Sequence, residues 1–211
     1  MKNIVVLISG NGSNLQAIID RCHRQNGINI VAVITNKDKV YGLIRAKKVG
    51  IDTVVVPCTV TTNRSTYDAR LMTIIDSYQP DLVVLAGFMR ILTPQFVQHY
   101  YSKMLNIHPS LLPKHSGLNT HQRAIDARDG VHGASVHFVT KELDSGPVIL
   151  QACVPIFKED DMYSVFNRVQ EQEHCIYPLT VEWFCQGRLK MEEGKAILDG
   201  QTLGTSGYNM G

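Results

Sequence analysis

An α/β fold on a mostly parallel sheet is predicted by three features of this 211-residue sequence. Short aliphatic runs alternate with segments whose apolar residues recur every three or four positions, and several runs end on Gly or Pro. This alternation is most regular in the first half of the chain. Strands covered on both faces read as unbroken aliphatic runs, and parallel neighbours need a crossover, usually a helix, between them. A chain of this length buries roughly 70% of its unfolded surface, enough for one core without staples. Residues 1–190 are expected to form a single domain, with 191–211 a polar, glycine-containing tail packed at its periphery.

Residues 4–8 are aliphatic throughout and read as a central strand. Gly10, Asn11 and Gly12 break it, and then Leu15, Ile18, Ile19 and Cys22 share one helical face, with Ser13 the expected N-cap. Residues 30–34 form a second strand, followed by a short helix carrying Leu43, Ile44 and Lys47. Residues 53–56 form a third, closed by Pro57, and Tyr67, Leu71, Ile74 and Ile75 stripe the next helix. Residues 82–85 form a fourth strand, ended by Gly87, and 104–107 a further one. The loop 109–117 is punctuated by prolines, 121–127 reads as helical, and 131–139 and 147–156 read as strands added antiparallel at the sheet edge. A long helix starts near Asp160 or Asp161 and turns Met162, Val165, Phe166, Val169 and Ile176 inward, with Pro178 expected to bend or interrupt it.

Composition narrows the function. Lys+Arg of 21 against Asp+Glu of 19 leaves a net charge of +2, too little for the basic stripe a nucleic-acid partner asks for. The five cysteines make no CxxC pair and are odd in number, which fits free thiols in a reducing compartment. The first apolar run is too short for a signal peptide and no run approaches membrane-spanning length, so a cytoplasmic protein without membrane contact is expected.

Two places carry chemistry. Strand, Gly10-Asn11-Gly12-Ser13-Asn14, helix is a setting for a phosphate, because glycines allow close approach and a helix start presents N–H groups and a positive dipole end. The same turn also serves as a plain tight βα connection. Leu15 stands where a dinucleotide fingerprint wants its third glycine, which favours a sugar phosphate over NAD. In Leu105-Asn106-Ile107-His108-Pro109, strand alternation puts Asn106 and His108 on one face at a strand end, where α/β sheets bind ligands. Both also fit a structural role. An acidic companion is available in Asp144, within Glu142-Leu143-Asp144-Ser145-Gly146-Pro147, but Asp160 and Asp161 are equally eligible by sequence. No GxSxG elbow or HExxH helix organises a hydrolase triad or a metal site, and His115, His121, His132 and His137 are scattered along the chain. His137 lies out of phase with Val136 and Phe138, facing either a cleft or the polar side of its strand. Glu173 shares a helical face with Val169 and Ile176, where a carboxylate is costly unless solvated or paired.

The segments ISGNGSNLQA, AGFMRIL, LNIHPSLLPK, VHFVTKELDSGPVILQ and RVQEQEH, in this order, resemble the phosphoribosylglycinamide formyltransferases, the folate-dependent glycinamide ribonucleotide transformylases of purine synthesis. The resemblance covers almost the whole chain and implies a Rossmann-like formyltransferase fold, a mostly parallel central sheet with helices on both faces. It implies Asn106, His108 and Asp144 at the reacting centre. Gly12, Ser13 and Asn14 would hold the substrate phosphate, with Arg64 on the phosphate side and Glu173 on the ribose. Met89, Arg90, Ile91, Leu92, Val97, Met104, Val139, Thr140, Lys141, Glu142 and Asp144 would line the folate pocket. Met104 stands where family members often carry leucine, which leaves the pocket's shape open.

The implied reaction takes the formyl group from 10-formyltetrahydrofolate to the amine of glycinamide ribonucleotide, with Asn106 and His108 donating to the developing oxyanion and Asp144 pairing with the imidazole. Direct transfer needs no metal and no covalent enzyme intermediate. A monomer or weak homodimer that binds reduced folate and no nucleic acid is expected. A methionyl-tRNA formyltransferase would carry a further domain and a folate deformylase an amino-terminal regulatory one. A noncatalytic phosphometabolite-binding module would leave Asn106, His108 and Asp144 as coincidence.

Overall fold

The computed structural model describes residues 1–58 and 63–208, so the last three residues of the expected tail lie outside the described ones. Seven strands run in the order β3-β2-β1-β4-β5-β6-β7, and three more form a separate small sheet. The chain divides into two compact units, Met1–Leu105 and Asn106–Gly211, with strand β5 (Met104–His108) contributing residues to each.

In the first unit β1 (Lys2–Ile8) pairs in parallel with both β2 (Ile28–Thr35) and β4 (Leu82–Leu85), and β3 (Asp52–Val55) adds in parallel to β2. Ile4, Val5, Val6, Leu7 and Ile8 are all 0% exposed, so both faces of β1 are covered, as its unbroken aliphatic run requires. Four helices follow these strands in turn: α1 (Ser13–Cys22), α2 (Tyr41–Lys48), α3 (Arg64–Ser77) and α4 (Pro94–His99). Leu15, Ile18, Ile19 and Cys22 are buried as their spacing predicts. Ser13 is not the N-cap. Gly12, left-handed at φ 75, takes that place, and Ser13 opens the helix; a residue without a Cβ adopts this torsion at little cost. On α2 Leu43 is buried, but Ile44 is half exposed. The short α4 has no stripe long enough to be read from sequence; Thr93 caps it by accepting from Phe96 N–H, and Pro94 sits in its first turn.

In the second unit β6 (Val131–Phe138) and β7 (Val148–Pro155) pair antiparallel, as expected, and α6 (Met162–Cys185) packs on both. A short α5 (Thr120–Asp126) precedes them. Asp161 caps α6 by accepting from Ser164 N–H at 2.7 Å. Val165, Val169, Glu173 and Ile176 are buried, whereas Met162 and Phe166 are exposed beside that stripe. Pro178 does not interrupt the helix, which runs unbroken through it. Proline in a helix interior costs about 3 kcal/mol, but Ile176, Tyr177, Pro178, Thr180 and Val181 are all buried there. Residues beyond α6 form β8 (Leu189–Glu192), β9 (Lys195–Leu198) and β10 (Gln201–Thr202). Within residues 191–211, Met191, Ala196 and Leu198 are buried, and Tyr208 N–H donates to Ile149 O at 2.7 Å.

Candidate active site

In the first unit, residues 9–14 with Ala86, Gly87 and Met89 line a hollow of about 210 Å³. Its walls are the ends of β1 and β4, tied where Ser9 N–H donates to Gly87 O at 3.1 Å and Met89 N–H donates to Ser9 Oγ at 2.8 Å. The same hydroxyl donates to Asn36 Oδ1 at 2.6 Å. Gly12 and Ser13 stand at the start of α1, where a helix presents backbone N–H groups and the positive end of its dipole. This concavity has the size and the donors for a phosphate. A larger one, about 580 Å³ along α3 and α4, contains none of the predicted site residues; size does not mark the site here.

In the second unit β5 and the turn after β6 bring Asn106, His108 and Asp144 together. Asp144 Oδ2 lies 3.5 Å from His108 Nδ1, with both side chains less than a tenth exposed. Asp144 sits at φ 50 and its Oδ2 also accepts from Gly117 N–H at 2.9 Å. The turn that presents it closes against β6 so tightly that a Cβ on Gly146 would lie 1.8 Å from Phe138 O. The rival carboxylates are engaged elsewhere: Asp160 pairs with Arg168, and Asp161 caps α6. His108 Nε2 lies 3.0 Å from the His115 carbonyl oxygen, a contact that requires an N–H on that nitrogen. Both ring nitrogens thus face acceptors of the protein.

Asn106 is oriented by a residue that sequence reasoning left secondary. His137, buried within β6, donates from Nδ1 to Phe138 O at 2.8 Å, so its Nε2 accepts from Asn106 Nδ2 at 3.1 Å. Burial lowers the pKa of this imidazole against the opposing effect of its bond to Phe138, which matches the neutral tautomer the two contacts demand. The Asn106 amide keeps a second Nδ2–H for a ligand. The period-two phase of His137 was the available signal. His115, His121 and His132 are not scattered in space: the His121–His132 ring centroids are 5.2 Å apart and the His115–His132 centroids 6.0 Å. Burial, then the neighbouring His121 and His115, push His132 down to about 4. Among the described residues no group of three or more such side chains is placed to hold a metal ion.

The remaining predicted positions divide. Met89 and Ile91 are exposed, Leu92 is half-buried, and Val97 and Met104 are buried. The Arg90 guanidinium lies 4.1 Å from the Tyr67 ring centroid and donates to Cys58 Sγ at 2.8 Å. Thr93 N–H donates to the buried Asp68 at 2.7 Å, fixing the far end of that loop. Val139 and Thr140 are half-buried, and Lys141 and Glu142 are exposed on the turn that carries Asp144. Glu173 is buried on α6, and Arg64 is exposed in the first turn of α3.

The sequence model of the formyl transferase family matches residues 2–181, and the chain belongs to that family. Within it, the chain is similar over its length to phosphoribosylglycinamide formyltransferases. It is 58% identical over 208 residues to that of Escherichia coli, covering 98% of each chain, and 51% identical to that of Haemophilus influenzae, covering 99% of each. The solved structure of phosphoribosylglycinamide formyltransferase from Coxiella burnetii matches at 48% identity with a TM-score of 0.93, covering 98% of each chain.

Proposed function

We propose that this chain transfers the formyl group of 10-formyltetrahydrofolate to the amine of glycinamide ribonucleotide, giving formylglycinamide ribonucleotide and tetrahydrofolate in de novo purine synthesis. The observation that carries this reading is the meeting of Asn106, His108 and Asp144, with the amide held by His137 and the carboxylate 3.5 Å from the imidazole.

The uncharged amine attacks the formyl carbon, and negative charge develops on the formyl oxygen. The second Asn106 N–H donates to that oxygen, and a fixed donor stabilises charge without reorganising at the moment of reaction. His108 and Asp144 handle the proton that leaves the attacking amine and the one that arrives at the departing folate nitrogen. General acid–base help of this kind contributes about 10²–10⁴-fold. Gly12, Ser13 and Asn14 hold the phosphate, Arg64 adds to that side, and Glu173 accepts from a ribose hydroxyl. Residues 89–92, Val97, Met104 and 139–142 enclose the folate. Amine attack on a formyl amide calls for no metal. The protein acts in the cytoplasm as a monomer or weak homodimer, within one formyltransferase domain over 1–190, and takes no nucleic acid.

Incubation of the purified chain with both substrates, followed by product identification, tests the reading. Formylglycinamide ribonucleotide and tetrahydrofolate are the expected products. Formate from the folate alone would make the chain a deformylase, and binding without turnover would make it a phosphometabolite-binding module.

A further inference from the structure

The glycine loop of the first unit is held by α2 at two levels. Gly42 N–H donates to Gly10 O at 3.2 Å. The backbones come so close that a Cβ on Gly12 would lie 2.8 Å from Gly42 Cα, and the Ile8 side chain fills the space beside Gly42, where a Cβ would lie 2.3 Å from its Cδ1. One turn further on, Arg45 reaches across to the loop. Its Nε donates to Asn11 O at 3.0 Å, its Nη2 to Asn11 Oδ1 at 2.9 Å, and its Nη1 to Gln16 Oε1 at 3.2 Å. The guanidinium lies 4.7 Å from the Tyr41 ring centroid, and Gln16 is itself fixed by Asp20 at 2.8 Å. The three acceptors of Arg45 are all neutral amide oxygens.

A guanidinium fork that grips both the carbonyl and the side chain of one residue defines that residue's torsions, which a single flexible ammonium cannot do. Asn11 lies between the two glycines of the turn, the most freely rotating part of the loop. We propose that Arg45 is a positioning residue for phosphate binding: by clamping Asn11 it keeps the 10–14 loop in its binding shape before the phosphorylated amine arrives. The inference rests on the reading of that loop as the phosphate site. A loop residue left to order only on binding weakens affinity by roughly tenfold.

The test uses the full chain and compares the parent with Arg45→Lys, Arg45→Gln and, as a control for charge on the same helix, Lys48→Gln. Inorganic phosphate serves as a competitor against the phosphorylated amine. Both Arg45 variants should raise the KM for that amine and the inhibition constant of phosphate by roughly tenfold. Their kcat and folate KM should stay at parent values, and Lys48→Gln should match the parent throughout. Combining Asn11→Ala with Arg45→Gln should cost less than the two single effects together, since the bond from Nη2 to Asn11 Oδ1 is lost in both. Parent-like phosphate inhibition in Arg45→Lys would mean that charge suffices and overturns the clamp, as would full additivity with Asn11→Ala. If phosphate fails to compete in the parent, the loop reading falls and the clamp with it. If it competes in the parent and equally in both Arg45 variants, only the clamp falls. Thermal melts accompany each variant, and Arg45→Lys, which keeps stem and charge, carries the test if Arg45→Gln does not fold.

Discussion

Asparagine in place of Asp144 keeps the side chain's size and an oxygen for the Gly117 N–H, now 2.9 Å away, and removes only the charge. That charge sits 3.5 Å from His108 Nδ1, with both side chains less than a tenth exposed. When the ring takes up a proton during the reaction, the two unit charges at this distance attract, at an effective dielectric of about 20, by about 5 kcal/mol. Part of this is offset by the solvation the pair lost on burial. About 3–4 kcal/mol should remain in the barrier, a fall in kcat of about 10²–10³-fold. Steady-state turnover with both substrates saturating, measured from about pH 6 to 9, reads this directly; urea unfolding should move by no more than about 1 kcal/mol. A folded Asp144→Asn protein that keeps turnover within about threefold of the parent at every pH would show that the carboxylate does not serve the reaction.

Asn14→Ala and Glu173→Gln should each raise the KM for glycinamide ribonucleotide about tenfold while kcat changes little, and unaltered substrate affinity would remove either residue from the binding site. Gly146→Ala forces a Cβ to within 1.8 Å of Phe138 O. The turn must shift, at about 1–3 kcal/mol of stability, and turnover should fall with it because Asp144 rides on the same turn. A parent-like melt and kcat would show that the turn yields freely. His132 titrates near 4 in the folded protein because it is buried among other histidines, against 6.5 for a free ring. Between those values the unfolded chain takes up a proton that the folded one refuses, so stability falls as pH drops from 6.5, by up to about 3 kcal/mol near pH 4, and no further below. Urea unfolding of the parent and His132→Gln across that window should give a steeper pH slope for the parent; equal slopes would contradict this.

Strands buried on both faces left the clearest trace in the sequence, because burial there leaves no room for polar residues: residues 4–8 and 82–85 read directly. Helices longer than two turns, such as α1, showed their inward stripe. The short α4 did not, since six residues hold too few apolar positions to define a period. Pro178 does not break α6, because its local propensity is set against a buried stripe that outweighs it. Asn106 and His108 were paired by strand alternation alone. Spacing alone left Asp144, Asp160 and Asp161 level, and the family resemblance singled out Asp144; physically that choice rests on a turn closed by Gly146 on Phe138, a contact no spacing rule contains. The support of Asn106 by His137 depends on hydrogen-bond direction, which only the folded arrangement of β5 and β6 sets.

The last described residues bear on how this chain behaves in a crowd. Strand β7 ends the seven-stranded order, and a terminal strand offers a row of open backbone groups to any extended segment that drifts past. Tyr208 bridges to Leu150 in parallel, and Gly207 lies so close to Ile149 that a Cβ there would come within 2.5 Å of its carbonyl. This short strap takes up part of that row, so shortening the chain before Gly207 should leave a sticky margin and a protein that self-associates on heating before its interior comes apart.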